Sequence, residues 1–161
     1  MALIGIISDS HDDMVSMRKT VDILNAKGVS HALHAGDITS PFSFEVFREL
    51  HCGISAIFGN NDGDKLLLKE KFKGNVHNQP LITTLLGRKI VVVHEPDLVG
   101  ALAASGQFDI VIYGHTHRPD VRKVKDALVI NPGKVARLNK GESTLALLDV
   151  EKMEAEIILI P

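Results

Sequence analysis

Five short apolar runs in this chain are each followed by a small cluster of polar residues. The runs are Leu3–Ile7, His31–Ala35, Ile54–Phe58, Ile90–Val93 and Ile110–Tyr113, and the clusters begin at Asp9, Gly36, Gly59, His94 and Gly114. Apolar runs of this length are typical of strands buried on both faces. The repeated order indicates that carboxylate, imidazole and amide groups converge at one edge of a sheet. Such a convergence is what a site for two divalent metal ions requires.

The first half of the chain alternates strand and helix patterns. We predict a helix over Met14–Lys27, ended by Gly28, and a second helix that Thr39-Ser40-Pro41 opens. A short third helix is predicted over Asp64–Phe72. The apolar face of the second helix is expected at Phe42, Val46, Phe47 and Leu50. This β-α-β-α-β order favours mainly parallel strands with helices packed outside.

The second half is richer in hairpins. The predicted strand pairs are Leu81–Leu86 with Lys89–Val93, Val121–Lys125 with Leu128–Asn131, and Thr144–Val150 with Ala155–Ile160. A short helix is predicted over Leu98–Ser105. Both halves fit an α/β fold in which two packed mixed β-sheets are flanked by helices. A chain of 161 residues is most simply one domain, residues 1–161.

Composition removes several classes of protein. The net charge is −2, and the six Phe, one Tyr and absent Trp offer few stacking surfaces, so a nucleic-acid-binding module is not indicated. Nucleic acid stays open as a substrate. Cys52 is the single cysteine, so an internal disulfide is excluded. No uncharged apolar stretch approaches the roughly 20 residues of a membrane helix, and no signal peptide is recognised. A cytoplasmic location is expected.

The order of the polar clusters resembles that of the calcineurin-like metallophosphoesterase family. The matching motifs are Asp9-Ser10-His11, Gly36-Asp37, Gly59-Asn60-Asn61-Asp62, His94 and Gly114-His115-Thr116-His117. Their spacing is most similar to that of the small archaeal and bacterial phosphodiesterases of the family. The resemblance implies an α/β/β/α sandwich that hydrolyses phosphate esters, through a hydroxide that bridges two metal ions. The family often forms dimers or larger assemblies, so a homo-oligomer is a further expectation.

The resemblance also implies the ligands of two metal ions. One ion would be held by Asp9, His11, Asp37 and His117, and the other by Asp37, Asn60, His94 and His115. Mixed oxygen and nitrogen ligands favour Mn, Fe, Ni, Co or Zn over Ca. In the same comparison Asn60 and His94 would place the phosphate, and Asp62 would orient a neighbouring group. Taken singly, each motif also fits a turn, a helix cap or a surface histidine.

Two positions depart from the family pattern. Asn61 stands where many larger members have His, and an amide cannot supply a proton at neutral pH. Glu95 stands where Gly is common, and its carboxylate would repel an anionic substrate. The other histidines, His31, His34, His51 and His77, are expected to lie outside the metal site.

Three functions therefore stand open. The first is a metal-dependent phosphodiesterase that acts on a small phosphate ester. The second is a phosphomonoesterase that uses the same residues. The third is a non-catalytic scaffold of the same fold, because a fold by itself does not establish catalysis. The presence of a metal-competent residue at every candidate ligand position favours an enzyme.

Overall fold

The computed structural model describes residues 2–138 and 141–161. Its strands are β1 Leu3–Ile7, β2 His31–His34, β3 Gly53–Ile57, β4 Val76–His77, β5 Leu81–Leu85, β6 Arg88–Val92, β7 Ile110–Ile112, β8 Asp120–Val124, β9 Ala127–Asn131, β10 Ser143–Asp149 and β11 Glu154–Ile160. They form a six-stranded sheet in the order β11-β10-β1-β2-β3-β4 and a five-stranded sheet in the order β5-β6-β7-β9-β8. The strands β1 to β4 run parallel, as do β6, β7 and β9.

Four helices accompany the sheets. They are α1 Met14–Lys27, α2 Phe44–Phe47, α3 Lys65–Lys71 and α4 Val99–Ala104. Single 3₁₀ turns, Pro41–Ser43 and Pro96–Leu98, lead into α2 and α4. The longest helix, α1, is capped at its start by Asp13, whose side chain accepts the backbone N–H of Ser16, and is followed by Gly28 in the left-handed conformation. None of the helices in the described part of the chain is long and apolar enough to cross a membrane.

Three apolar clusters separate four layers. The middle cluster lies between the sheets and includes Ile6 and Leu33 from one sheet and Val92 and Ile112 from the other. A second cluster packs α1, α2 and α3 on the outer face of the six-stranded sheet, and a third packs α4 on the outer face of the five-stranded sheet. The apolar residues of the central strands thus bury the middle of both sheets on both faces, whereas the edge strands β5, β8 and β11 stay partly exposed. The predicted α/β fold with two packed mixed sheets flanked by helices is confirmed.

Most elements follow the predicted pattern, and two differ. The second helix is much shorter than its apolar pattern indicates, and Phe42 is 77% exposed, so its assignment to the buried face was wrong. The side chain of Asp12 accepts hydrogen bonds from Ser40 and Ser43, which hold this segment as a 3₁₀ turn with Phe42 on its outer side. The edge strand β4 was not predicted, since two residues carry no periodic signal.

Candidate metal centre

The polar clusters meet at one edge of the sandwich. Three clusters follow β1, β2 and β3 in the six-stranded sheet, and two follow β6 and β7 in the other. The carboxyl ends of parallel strands are where open α/β sheets place their ligand sites. The structure brings all the candidate ligands together at this edge. They form two groups, which we call the first half-site (Asp9, His11, His117) and the second half-site (Asn60, His94, His115).

The first half-site is centred on the buried carboxylate of Asp9. Its Oδ1 lies 3.1 Å from Nε2 of His117 and 3.7 Å from Nε2 of His11. The two imidazole rings meet edge to face, 5.5 Å apart. The ligand atoms of these three residues all lie within 4.8 Å of one another, which is close enough for one ion.

The second half-site is centred on the side-chain amide of Asn60. Its Oδ1 lies 3.0 Å from Nε2 of His94 and 3.0 Å from Nδ1 of His115. The opposite ring nitrogen of His94, Nδ1, lies 2.7 Å from the carbonyl oxygen of Ala35, and this contact fixes the ring so that Nε2 faces the centre. The two half-sites therefore have the same composition, two imidazoles around one oxygen donor.

The carboxylate of Asp37 lies between the half-sites. Its Oδ2 is 3.7 Å from Nε2 of His11 and 3.4 Å from Nε2 of His94. Asn61 holds this carboxylate twice, since its backbone N–H donates to Oδ1 at 2.8 Å and its side-chain amide donates to Oδ2 at 2.7 Å. The resemblance to the family indicated only that Asn61 replaces a histidine that could donate a proton. The structure gives it a positive role, the orientation of Asp37.

The backbone at the centre differs from a simple expectation. If β1 continued past Ile7, Asp9 and His11 would point to the same side as alternate residues of a strand. The strand ends at Ile7, however, and both residues lie in a left-handed loop, with φ of 53° and 41°. The loop places their side chains together by a different route. His115 and His117 adopt the same kind of backbone, with φ of 63° and 58°.

Several groups hold these loops without facing the centre. The carboxylate of Asp62 accepts the backbone N–H groups of Gly59 at 2.6 Å, Asp37 at 3.1 Å and Thr39 at 2.6 Å. A Cβ at Gly59 would collide with Asp37, so this position requires glycine. The side chain of Asn131 donates to the carbonyl of Gly114 at 2.9 Å and thereby fixes the loop that carries His115 and His117. Asn131 also accepts the backbone N–H of Gly133 at 2.9 Å, so its role is structural.

The close packing shifts the pKa values of the acidic and basic groups in opposite directions. Burial alone would raise the pKa of Asp37, but its hydrogen bonds with His94 and Asn61 hold that pKa well below its usual range. Burial likewise opposes the charged form of His94, yet Asp37 and the Ala35 carbonyl raise its pKa to about 9. Asp9 behaves like Asp37: burial raises its pKa, and the larger sum of contacts with His11 and other neighbours lowers it. The carboxylates of Asp9 and Asp37 are thus ionised at neutral pH.

The donor set fits divalent metal ions. Nε2 of His11 is buried and has no hydrogen-bond partner among residues 2–138 and 141–161, although it faces two carboxylates at 3.7 Å. A buried polar atom without a partner costs free energy, and a metal ion would satisfy it. Asp9, Asp37 and His94 form a second group of ligand atoms within 4.8 Å of one another. Imidazole and carboxylate donors in this proportion suit transition metals.

Two of the histidines predicted to lie outside the centre, His31 and His34, have other partners. His34 is buried beneath it, where its Nε2 lies 2.9 Å from Oγ of Ser10, and burial lowers its pKa to about 3. Nε2 of His31 lies 3.0 Å from Oγ of Ser55, on the same sheet. The carboxylate of Glu95 contacts Gln79, whose Nε2 donates to Oε2 at 2.6 Å. Glu95 therefore does not join either half-site, although it directly follows His94.

Comparisons with known proteins agree with this architecture. A model of the calcineurin-like phosphoesterase superfamily domain matches residues 2–153. A phosphodiesterase from Methanocaldococcus jannaschii is 37% identical over 164 residues, which span 97% of this chain and 98% of that protein. The solved structure of an archaeal phosphodiesterase superposes with a TM-score of 0.92 at 36% identity, over 98% of this chain and 99% of that one.

More distant structures share the fold alone. A phosphoesterase-like protein from Streptococcus pneumoniae superposes with a TM-score of 0.71 at 23% identity, over 98% of this chain and 89% of that one. The family model and the archaeal relative cover nearly all of the chain, including both half-sites. The protein belongs to the calcineurin-like phosphoesterase superfamily.

Proposed function

We propose that the protein is a phosphodiesterase that hydrolyses small phosphate diesters with two divalent metal ions. The observation that carries the proposal is the pair of matching half-sites joined by Asp37, whose Oδ2 is within 3.7 Å of a ring nitrogen on each side. The 37% identity to a phosphodiesterase supports the choice of a diester over a monoester. Mn, Ni, Fe, Co and Zn all suit the donor set.

In this proposal each half-site holds one ion and Asp37 contributes to both. Metal ions held in this way lower the pKa of water and neutralise the charge of the phosphoryl group. The protein supplies the position of the ligands. His94 is fixed by the Ala35 carbonyl, and Asp62 ties together the loops after β2 and β3.

In this proposal Asn60 also contacts the substrate. Its Oδ1 faces His94 and His115, while its Nδ2 forms no hydrogen bond within the described part of the chain. This Nδ2 is a donor available to a phosphate oxygen, so Asn60 both binds metal and places the substrate. Asn61 supplies no proton, because an amide is not acidic at neutral pH, and its side-chain N–H already donates to Asp37. The leaving alcohol is therefore one of low pKa, or it is protonated by water.

The first experiment compares a diester with a monoester. Metal-stripped protein is resupplied with Mn, Ni, Co, Zn or Mg and assayed on bis(p-nitrophenyl) phosphate and p-nitrophenyl phosphate. We expect metal-dependent cleavage of the diester, and a loss of about 100-fold or more in kcat/KM for His115→Ala. His51→Ala, at an exposed histidine away from the centre, is the matched control.

The other outcomes identify the alternatives. A higher kcat/KM for the monoester would assign the protein as a phosphomonoesterase. Absence of turnover by folded protein that binds the metals would favour the non-catalytic scaffold. Equal losses in the His115 and His51 variants would contradict the assignment of the centre.

A further inference from the structure

A cavity of about 280 Å³ opens beside the second half-site, between the end of β6 and helix α4. Its walls are apolar and include Pro80, Val93, Leu98 and Leu102. Leu98 is 62% exposed, although it is a large apolar side chain. A cavity of roughly 150 Å³ with apolar walls is enough to bind benzene. This one therefore has room for a single substituted ring or a compact branched alkyl group.

The cavity is linked to the proposed catalytic centre through two of the residues that line it, Gln79 and Glu95. Glu95 lines it and directly follows His94, so the two Cα atoms are separated by one peptide unit, about 3.8 Å. Gln79 also lines it and connects the two residues, because its Oε1 accepts the backbone N–H of His94 at 2.7 Å and its Nε2 donates to Glu95 at 2.6 Å. Gln79 thereby holds the carboxylate of Glu95 beside the cavity and close to the backbone of His94.

The charge of the cavity is negative. Glu95 and Asp97 both line it, and neither forms an ion pair with Lys or Arg within residues 2–138 and 141–161. Among the residues that the structure describes, no lysine or arginine lines it. A fixed carboxylate next to apolar walls repels a second anion more strongly than it would in water, because the surroundings screen less.

We propose that this cavity receives one ester substituent of the phosphodiester, and that Glu95 restricts this substituent to compact apolar groups without negative charge. The proposal rests on the proposed phosphodiesterase function. It makes Glu95 a specificity-determining residue. It also explains why a carboxylate stands beside a centre that binds anions. It also disfavours oligonucleotides, because the next phosphate along their backbone is an anionic substituent.

The kinetic test uses two diesters with the same p-nitrophenyl leaving group. One carries a benzyl substituent and the other a 4-carboxybenzyl substituent. For metal-loaded wild-type protein we expect kcat/KM to favour the benzyl ester by about fivefold, the size of a partly exposed charge interaction. Glu95→Gln keeps the shape and hydrogen bonding of the side chain but removes the charge, and should bring the ratio close to one. Glu154→Gln, at an exposed glutamate of β11, is the matched control and should keep the wild-type ratio.

The binding test does not depend on catalysis. Metal-free protein is titrated with benzyl alcohol and with 4-(hydroxymethyl)benzoate, and the methyl resonances of Leu98 and Leu102 are followed by NMR. Benzyl alcohol should shift these resonances in wild-type protein and in Glu95→Gln. The benzoate should shift them only in Glu95→Gln.

The two tests separate the proposals. Selective shifts in the binding test without any hydrolysis would overturn the phosphodiesterase function and leave the cavity assignment standing. Resonances of Leu98 and Leu102 that do not respond to benzyl alcohol would overturn the cavity assignment. Equal responses of the wild-type protein to both alcohols, or an unchanged kinetic ratio in Glu95→Gln, would overturn the role of Glu95.

Discussion

At the scale of single residues, the centre depends on backbone conformations that residues with a Cβ rarely adopt. The left-handed positions among the candidate ligands are Asp9, His11, Asp37, His115 and His117. Each such position costs on the order of 1–3 kcal/mol and persists only where its surroundings fix it. Here the surroundings include Asp62, which binds three backbone N–H groups, and Asn131, which binds the Gly114 loop. The ligands are held in place before a metal ion arrives.

Asn61 is the residue whose removal tests this support most directly. Asn61→Ala keeps the backbone donor to Asp37 but removes the amide that holds Oδ2 at 2.7 Å. Groups that orient metal ligands typically contribute 10–100-fold to metal affinity or activity. We expect a loss in this range in metal affinity, measured by calorimetric titration of the metal-stripped protein. Asn78→Ala, at an exposed asparagine, is the control, and an affinity of Asn61→Ala equal to that of Asn78→Ala would contradict the role.

The pKa values of two buried histidines predict how the metal-free protein responds to pH. His94, raised to about 9 by its contacts, stabilises the fold fully below its ordinary pKa of 6.5, and this contribution is lost as pH rises from 6.5 to 9. His34, lowered to about 3 by burial, has the opposite sign. Its contribution is lost as pH falls below 6.5, because the unfolded chain then binds a proton that the folded chain does not.

The free energy of unfolding should therefore reach its maximum near pH 6.5. Urea denaturation of protein treated with EDTA, between pH 5 and pH 9.5, measures this curve. His94→Gln should flatten the alkaline side by removing the group that titrates, while His51→Ala should keep the wild-type shape. A stability that rises steadily from pH 6.5 to pH 9 would contradict the assignment.

At the scale of elements, the start of α1 joins two distant parts of the chain. The carboxylate of Asp13 accepts the backbone N–H of Ser16 at 3.1 Å and its hydroxyl at 2.8 Å. The same carboxylate accepts the backbone N–H of Arg137 at 2.8 Å, from the segment that follows β9. One side chain thus caps the helix that follows the loop of Asp9 and His11 and also holds a loop of the chain 124 positions away.

Loss of this cap should destabilise the protein measurably. For Asp13→Ala we expect a decrease of about 1–2 kcal/mol in the free energy of unfolding, since a helix N-cap and a second acceptor are removed together. Asp22→Ala lies in the same helix at an exposed position and should change stability by less than about 0.5 kcal/mol. Chemical denaturation of both variants at neutral pH makes the comparison, and equal stabilities would show that the cap is unimportant.

At the scale of the whole molecule, the centre connects the two sheets. Asp9, Asp37 and Asn60 come from the six-stranded sheet, whereas the histidines that face Asn60 come from the five-stranded sheet. Metal ions bound between them would link layers that are otherwise held by the apolar cluster between the sheets. Metal binding is therefore expected to stabilise the complete fold and not only the loops.

Removal of metal should lower the melting temperature. At a free metal concentration of 100 Kd the stabilisation is about 2.7 kcal/mol, which corresponds to roughly 5–10 °C for a chain of this size. Thermal unfolding with added Mn and with EDTA measures the difference. His11→Ala should lose most of the shift, while His51→Ala should keep it. A shift of the same size in both variants would indicate that the metal binds elsewhere.

The sequence by itself determined the order of elements and the chemistry available at their ends. The bounds predicted for β1 and α1 agree with the structure, because their apolar spacing and the glycine after the helix are local signals. The hairpin of β5 and β6 is confirmed for the same reason. The motif order was also enough to indicate the superfamily, which the comparisons confirm.

Only the tertiary structure decided how distant residues use one another. The double hold of Asn61 on Asp37 and the contact of Gln79 with Glu95 join residues 24 and 16 positions apart, respectively. The exposure of Phe42 likewise depends on hydrogen bonds to Asp12, which no local periodicity shows. The periodicity of apolar residues indicates which face of a helix or strand is buried, because side chains on one face recur with the period of the backbone. It does not record the direction of a side chain in a left-handed loop, because long-range packing fixes that direction.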